Sequence, residues 1–339
     1  MTDLAEATGL SKMTISRVFS GSGSVKSSTR ERVIQAAARL GYEYNALAGN
    51  FASGRSQQIG IAVDFSSHMG CPFYADIFRG AHPVLEQADY HTVLYDTGSK
   101  ALQGKQLGKL IQQRRIDGLL HFFPQTAPSS WALLESEARP SMVVIGHHCD
   151  DDHTSWVDLD LEHSIRQVVN HLHLLGHQRI GFISGPSKQA SEHVKSQSFA
   201  HIRQQLNLPW NNAWEQPGEH GYNQGREAAH RILSRSHAPT AIITSRELSA
   251  LGACDAARSY GLTPGKEISI ASIEGQSIAA GAEPSITSMS QPLELMGRQA
   301  AQLLLQQLNK SPDYQDGTHA ILRGQLTARA STGPPILHH

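Results

Sequence analysis

The residues with the clearest chemical purpose lie among the first twenty. Lys12, Met13, Ser16 and Arg17 fall on the outer face of a short predicted helix near its N-terminus, while Leu10, Ile15 and Val18 or Phe19 face inward. A guanidinium at Arg17 can fork onto O6 and N7 of a guanine; Lys12 can reach a guanine or a phosphate, and Met13 can touch a thymine methyl. Ser11 and Thr14 suit phosphate oxygens, which set register on a duplex without reading its sequence. A second run, His147-His148-Cys149-Asp150-Asp151-Asp152-His153, offers imidazole, thiol and carboxylate ligands of the kind zinc takes. Neighbouring residues on a strand point to opposite faces, however, and the run lacks separated ligand pairs, so it reads as a solvated acidic loop and no metal is expected. No G-x-S-x-G elbow, P-loop or G-x-G-x-x-G follows a predicted strand, and the 19 histidines are spread without partner spacing. The chain is therefore not expected to be an enzyme or to hold a cofactor.

The elements that must present Lys12 to Arg17 are readable on either side. Leu4, Ala5 and Thr8 share one face of a preceding helix, Gly9 can take the left-handed conformation that ends it, and Ser11 can cap the next helix by accepting from the Thr14 N–H. Two helices joined so tightly cross steeply, as in a helix-turn-helix, whose second helix enters the major groove. A third helix follows over Ser28–Leu40 with Gly41 as its stop, and Val33, Ala37 and Leu40 are expected to close the three-helix core.

At 339 residues the chain is too long for one small core and suits a head with a two-lobed body. Its net charge of −1 is unevenly placed: residues 1–57 hold seven Lys or Arg against four Asp or Glu, a net +3, which leaves −4 for the rest. A basic head on an acidic body suits phosphate binding, and +3 is modest enough that two heads would be needed for a firm grip. Cys71, Cys149 and Cys254 have no paired spacing, which favours reduced thiols and a cytoplasmic protein. Neither a signal peptide nor a membrane span is expected.

Beyond residue 58 the pattern alternates. Strands are expected at 59–63, 91–95, 118–122, 142–145, 180–183, 241–244, 268–271 and about 320–322, separated by helices at about 73–87, 101–114, 164–175, 193–205, 221–233, 249–260 and 292–308. Such alternation makes parallel, doubly wound sheets. Two such lobes joined by crossing segments form a clamshell, with small molecules bound outside the carboxyl ends of the strands.

These residues resemble the lactose-repressor family of bacterial transcription regulators. The matching words are Asp3-Leu4-Ala5, Gly9-Leu10-Ser11, Thr14-Ile15-Ser16-Arg17-Val18, Thr29-Arg30-Glu31-Arg32-Val33, Leu40-Gly41-Tyr42 and Asn45-Ala46-Leu47-Ala48; later come Arg115-Ile116-Asp117-Gly118-Leu119-Leu120, Gly176-His177-Gln178-Arg179-Ile180-Gly181 and Ala250-Leu251-Gly252-Ala253. They keep their order over nearly the whole chain. The resemblance implies a small all-α helix-turn-helix head at 1–44, a hinge at 45–58, an α/β two-lobed periplasmic-binding-protein-like body at 59–330 and a tail at 331–339. It implies a homodimeric repressor on a pseudo-palindromic double-stranded operator, controlled by a sugar, sugar acid or sugar phosphate. Asn45, Ala48 and Phe51 match the hinge segment that the family forms on DNA, with Phe51 where an apolar wedge opens the minor groove. Gly49 weakens that helix by roughly 1 kcal/mol relative to alanine, and Tyr44 replaces a proline common there.

Strand ends and the family pattern together give the candidate effector residues. Lys195 stands where a sugar-binding arginine is usual, with Phe199 one turn further on; Arg246 and Glu247 replace Asn-Asp, Glu274 replaces an aspartate that accepts from sugar hydroxyls, and Gln291 lies near the last crossing strand. Phe73 and Tyr74 can wall a sugar face, and His147 ends a strand. With Lys195, Arg246 and His147 the cleft reads as more cationic than that of a neutral-sugar binder, which points to a carboxylate or phosphate on the effector. The alternative is that Arg246 and Glu247 pair internally or with Glu274. Two other functions compete: a regulator of this fold whose cleft senses no sugar, and a transport sugar-binding protein, which would have no use for a basic helical head.

Overall fold

The computed structural model describes residues 1–20, 24–42, 55–65, 72–98, 105–124, 141–149, 152–187, 189–219, 221–275, 277–311 and 314–336. Asn45, Ala48 and Phe51, and with them the hinge expectation, lie outside the described residues, as do Cys71, Asp150 and Asp151.

Three helices build the head: α1 (Thr2–Thr8), α2 (Lys12–Ser20) and α3 (Ser27–Leu40). Gly9 ends α1 at φ 64° and Gly41 ends α3 at φ 59°, left-handed conformations that cost glycine nothing. Leu4, Ile15, Val18, Val33, Ala36 and Ala37 form the core, with Leu10, Phe19, Val25 and Tyr42 against it. Leu40, expected inside, is 49 % exposed. Ala36 takes the core position one turn earlier, and after Gly41 turns the chain, Tyr42 lays its ring 5.9 Å from that of Phe19.

The first lobe is a six-stranded sheet made from β1 (Gln58–Val63), β2 (His91–Asp96), β3 (Gly118–Phe122), β4 (Met142–Ile145), β5 (Ser155–Leu159) and, from far along the chain, β11 (His319–Leu322), in the order β11-β5-β4-β3-β1-β2 and parallel throughout. Its inner strands β3 and β4, buried on both faces, read as near-continuous apolar runs. Helices α4 (Pro72–Gln87) and α5 (Lys105–Gln112) belong to it, and so does α11 (Leu293–Leu308), whose Leu293, Met296, Ala300, Ala301 and Leu304 join the core around Ile59, Ile77 and Val143. A Cβ on Gly297 of α11 would overlap the Ile77 carbonyl, and one on Gly80 of α4 would overlap the Glu294 carbonyl, so the two helices meet backbone to backbone.

The second lobe carries β6 (Ile180–Ser184), β7 (Glu215–Pro217), β8 (Ala241–Thr244), β9 (Ser269–Ser272), β10 (Thr287–Ser290) and β12 (Gln325–Thr327), in the order β12-β10-β9-β8-β6-β7, with only the β10–β12 pair antiparallel. Helices α6 (Leu161–Leu174), α7 (Ala190–Gln205), α8 (Tyr222–Leu233), α9 (Glu247–Ser259) and α10 (Ser277–Gly281) accompany it, and a separate apolar cluster fills each face of the sheet. Residues 331–333, expected to begin a tail, are sewn into its base. Ser331 is fully buried, donating from Oγ to the Ile270 carbonyl and accepting from the Thr287 N–H, while Gly333 bonds to Ser269 and His177.

The chain passes between lobes three times, after β5, after β10 and after β11. These crossings are tied together. Asp160 caps α6 by accepting from His163 N–H at 2.8 Å and pairs with Arg323 at 2.9 Å, while Gln291 donates to Ser164 Oγ at 3.1 Å and to the Ile273 carbonyl at 3.3 Å. Burial pulls the Asp160 pKa upward, but the His163 amide and Arg323 outweigh it and hold the carboxyl below its usual range.

Candidate functional site

Two sites can be built from this frame. In the head, Ser11 Oγ accepts from the Thr14 N–H at 3.2 Å, the cap that its position before α2 calls for. That cap and the inward Ile15 and Val18 fix the rotation of α2, so Lys12, Met13 and Arg17 are exposed and Ser16 and Thr14 half-buried beside them. Met13 is 65 % exposed. This unbranched apolar side chain, flanked by Lys12 and Arg17, takes no part in the head's own core.

The second site lies at the carboxyl ends of both sheets, where charges are buried and already matched. Lys195, on α7, is fully buried and donates to Glu192 Oε1 at 2.7 Å, Glu274 Oε1 at 2.6 Å and Ser245 Oγ at 2.9 Å. Glu192 in turn accepts from Ser245 Oγ and from the Gly185 N–H, both at 2.7 Å, joining the ends of β6 and β8 to α7. Arg246, 6 % exposed at the N-cap of α9, holds Nε 3.2 Å from Glu274 Oε2. Burial disfavours ionised Glu274, but the Arg246 and Lys195 charges prevail and keep its carboxyl below the usual range. Glu247 accepts from the Ala279 N–H at 3.0 Å and so holds α10 against α9.

Facing this cluster, the first lobe supplies rings. Phe73 and Tyr74 at the start of α4 and Phe123 after β3 form a mutual edge-to-face set with centroids 5.3 to 5.5 Å apart. Gly146, at φ 79°, lets the Phe123 ring lie against the backbone, where a Cβ would overlap it. The Arg246 guanidinium lies 4.8 Å from the Phe73 centroid and 5.9 Å from that of Tyr74. On β5 of the same lobe, burial pushes Asp158 up to about 7; its carboxylate accepts from the Leu159 N–H and lies 3.3 Å from His148. The buried His121 is pushed down to about 4 by desolvation and by the nearby His147.

Several expectations need correction. Phe199 is not in the cleft: at 1 % exposure its ring stacks on Phe182 at 5.0 Å inside the second lobe, because residues one turn apart on α7 diverge enough for Lys195 to meet the carboxylates and Phe199 the core. Lys195 is not an accessible cation, and Arg246 does not add unmatched charge. Among the described residues the cluster sets these two cations against Glu192 and Glu274, so the reading of a cationic cleft fails. Gln291 serves the crossing between lobes. His147 lies half-buried by His121, and His148 turns to Asp158 and stacks on Trp156 at 4.4 Å. Sequence reasoning missed Glu192, Ser245, Asp158 and Phe123. Glu192 lay open to it, as a carboxylate three residues before Lys195 on one helix face; the others depend on tertiary contacts.

A three-helix head with an exposed reading face, followed by a two-lobed α/β clamshell, defines a DNA-binding regulator with a small-molecule-binding type of body. Residues 1–45 match the bacterial regulatory proteins of the lacI family, and residues 169–332 match the periplasmic binding protein-like domain. Residues 1–45 thus carry a lacI-family DNA-binding head, and the relatives matched over the length of the chain are transcription regulators of that family. It is 27 % identical to catabolite control protein A of Priestia megaterium, over 91 % of this chain and 92 % of that one. A solved complex of the transcriptional regulator CelR with cellobiose is 26 % identical, with a TM-score of 0.74 over 97 % of this chain and 98 % of that one. The lac repressor dimer bound to operator and the anti-inducer ONPF shares the fold, with a TM-score of 0.84 at 24 % identity over 98 % of each chain. No described helix is long and apolar enough to cross a membrane.

Proposed function

We propose that this chain is a homodimeric repressor of carbohydrate-utilisation genes that reads a pseudo-palindromic operator and answers to a neutral, hydroxyl-rich, sugar-like effector. The observation that carries the DNA half is the exposed Lys12, Met13 and Arg17 on the capped N-terminal half of α2. Arg17, Met13 and Ser16 read bases, Lys12 meets a guanine or a phosphate, Ser11 and Thr14 meet phosphates, and Asn45, Ala48 and Phe51 act at the minor groove between half-sites. Two-fold symmetry of the dimer makes the operator a pseudo-palindrome.

On the effector side, the paired charges favour a neutral compound. A carboxylate or phosphate would have to compete with Glu192 and Glu274 for Lys195 and Arg246, whereas hydroxyls can donate to Glu274 beside an aromatic wall of Phe73 and Tyr74. The cellobiose held by CelR belongs to this chemical class. In this reading Lys195, Glu247 and Gln291 hold the cleft in shape and His147 flanks it.

The test has two arms. An operator selected from a random duplex library is titrated with wild type and Arg17→Ala. The variant is expected to bind more weakly, with discrimination relaxed by about 1–3 kcal/mol at one symmetric guanine pair; unaltered base preference removes Arg17 from the readout. A thermal-shift panel of neutral sugars, sugar acids and sugar phosphates then ranks effectors by the stabilisation of the native state. A response confined to the acids or phosphates rejects the neutral assignment, and silence across the panel favours a regulator that senses no sugar.

A further inference from the structure

The Phe73 ring offers the apolar face on which a sugar ring would lie, and that face is covered by the chain's own Arg246 at 4.8 Å. The contact runs from one lobe to the other: Phe73 belongs to α4 of the first lobe and Arg246 to the junction of β8 and α9 in the second. Arg246 is well placed for this. Its carbonyl accepts from Thr244 Oγ1 at 2.9 Å and from the Ala250 N–H at 3.1 Å, which fixes the backbone, and its Nε lies 3.2 Å from Glu274 Oε2 in an ion pair. The target is equally fixed, since Tyr74 and Phe123 brace the Phe73 ring edge to face. A planar, weakly hydrated guanidinium on a desolvated aromatic face is a favourable contact that a lysine would not reproduce.

We propose that Arg246 is a built-in occupant of the cleft, a strut that ties the two lobes across the aromatic wall when no effector is bound and that an effector must displace from Phe73. The inference rests on the cleft being the effector site only for its second half; the strut itself is a property of the effector-free protein. It gives the binding event a defined mechanical content. An incoming ring replaces Arg246 on Phe73, the guanidinium is released toward Glu274, and the tie between lobes passes from the protein's own side chain to the effector.

Hydrogen–deuterium exchange on the full-length, effector-free protein tests the strut. Arg246→Ala and Phe73→Leu each remove one side of the contact, and Phe73→Leu keeps an apolar side chain should the arginine variant fold poorly. Each is expected to raise exchange of the amides in the first turns of α4 and α9 by about ten-fold, on the scale of a desolvated cation–π contact, with β6 and β9 unchanged and the double variant adding nothing. Exchange that stays at the wild-type level, that rises equally throughout the body, or that adds in the double variant overturns the strut. Competition is read separately, with cellobiose as the first probe and other neutral sugars after it. A sugar that stabilises wild type is expected to bind Arg246→Ala several-fold more tightly; weaker binding makes Arg246 an effector contact and overturns the displacement. If no sugar stabilises either protein while the exchange result holds, the effector reading fails and the strut stands.

Discussion

At the scale of single residues, the cleft shows how a sequence can announce charge and conceal its balance. Lys195 and Arg246 were visible as departures from the family pattern, and their sign suggested an anionic effector; Glu192 was within reach on the same helix as Lys195, but Ser245 and Glu274 lie far along the chain from Lys195, and only the fold brings them within 3.2 Å of these cations. Lys195→Met is therefore expected to leave Glu192 and Glu274 as buried carboxylates short of a partner, lowering stability by about 3–5 kcal/mol. Urea unfolding followed by tryptophan fluorescence measures it, and a loss below about 1 kcal/mol would mean the cluster relaxes into solvent. Asp158 gives a prediction of opposite sign. Its folded pKa, raised to about 7 by burial, lies above the unfolded value, so the folded state binds the extra proton and stability falls as pH rises from about 4 to 7. Asp158→Asn is expected to raise the melting temperature above pH 7 and to leave it unchanged below pH 4. A uniform shift at every pH would assign the effect to packing rather than to charge.

At the scale of elements, legibility followed local pattern. Strands over 118–122, 142–145 and 241–244 match the sequence reading residue for residue, because buried parallel strands are predominantly apolar. Strand β5 escaped. Ser-Trp-Val-Asp-Leu follows an acidic loop and carries polar residues at buried positions, and only its neighbours β4 and β11 show why it is extended. The short β7, β10 and β12 were missed for the same reason. Close approach of helices is equally silent in the sequence: Gly80 and Gly297 read as weak points in two amphipathic helices, yet they are where α4 and α11 touch. Gly297→Ala, favourable by roughly 1 kcal/mol on intrinsic helix preference, is instead expected to destabilise the first lobe by about 1–3 kcal/mol, because the new methyl meets the Ile77 carbonyl. An unchanged or raised urea midpoint would show that the helix pair separates without penalty.

At the scale of the molecule, the head, the alternating body and the family were all legible, since each rests on order and periodicity; the three crossings and the membership of each lobe were not, because they depend on which distant segments pair. Charge asymmetry also acts at this scale. With each head carrying +3, operator affinity is expected to fall steeply with salt, and Lys12→Ala to reduce the slope of log affinity against log salt by about 1 per head. Fluorescence anisotropy between 50 and 300 mM salt, on the order of the range where counterion release dominates, would show an unchanged slope if Lys12 touches no phosphate. The interleaved order of the strands has a consequence in time. Neither lobe is a continuous stretch of chain: the first awaits α11 and β11, and the second awaits β12 and residues 331–333. A ribosome working at roughly 5–20 residues per second needs on the order of ten seconds to pass from β5 to β11. Throughout that interval β5 is a bare sheet edge, while the head, complete from residue 42 onward, has long been able to fold. The nascent protein therefore has its head in place while both lobes of the body are still unfinished.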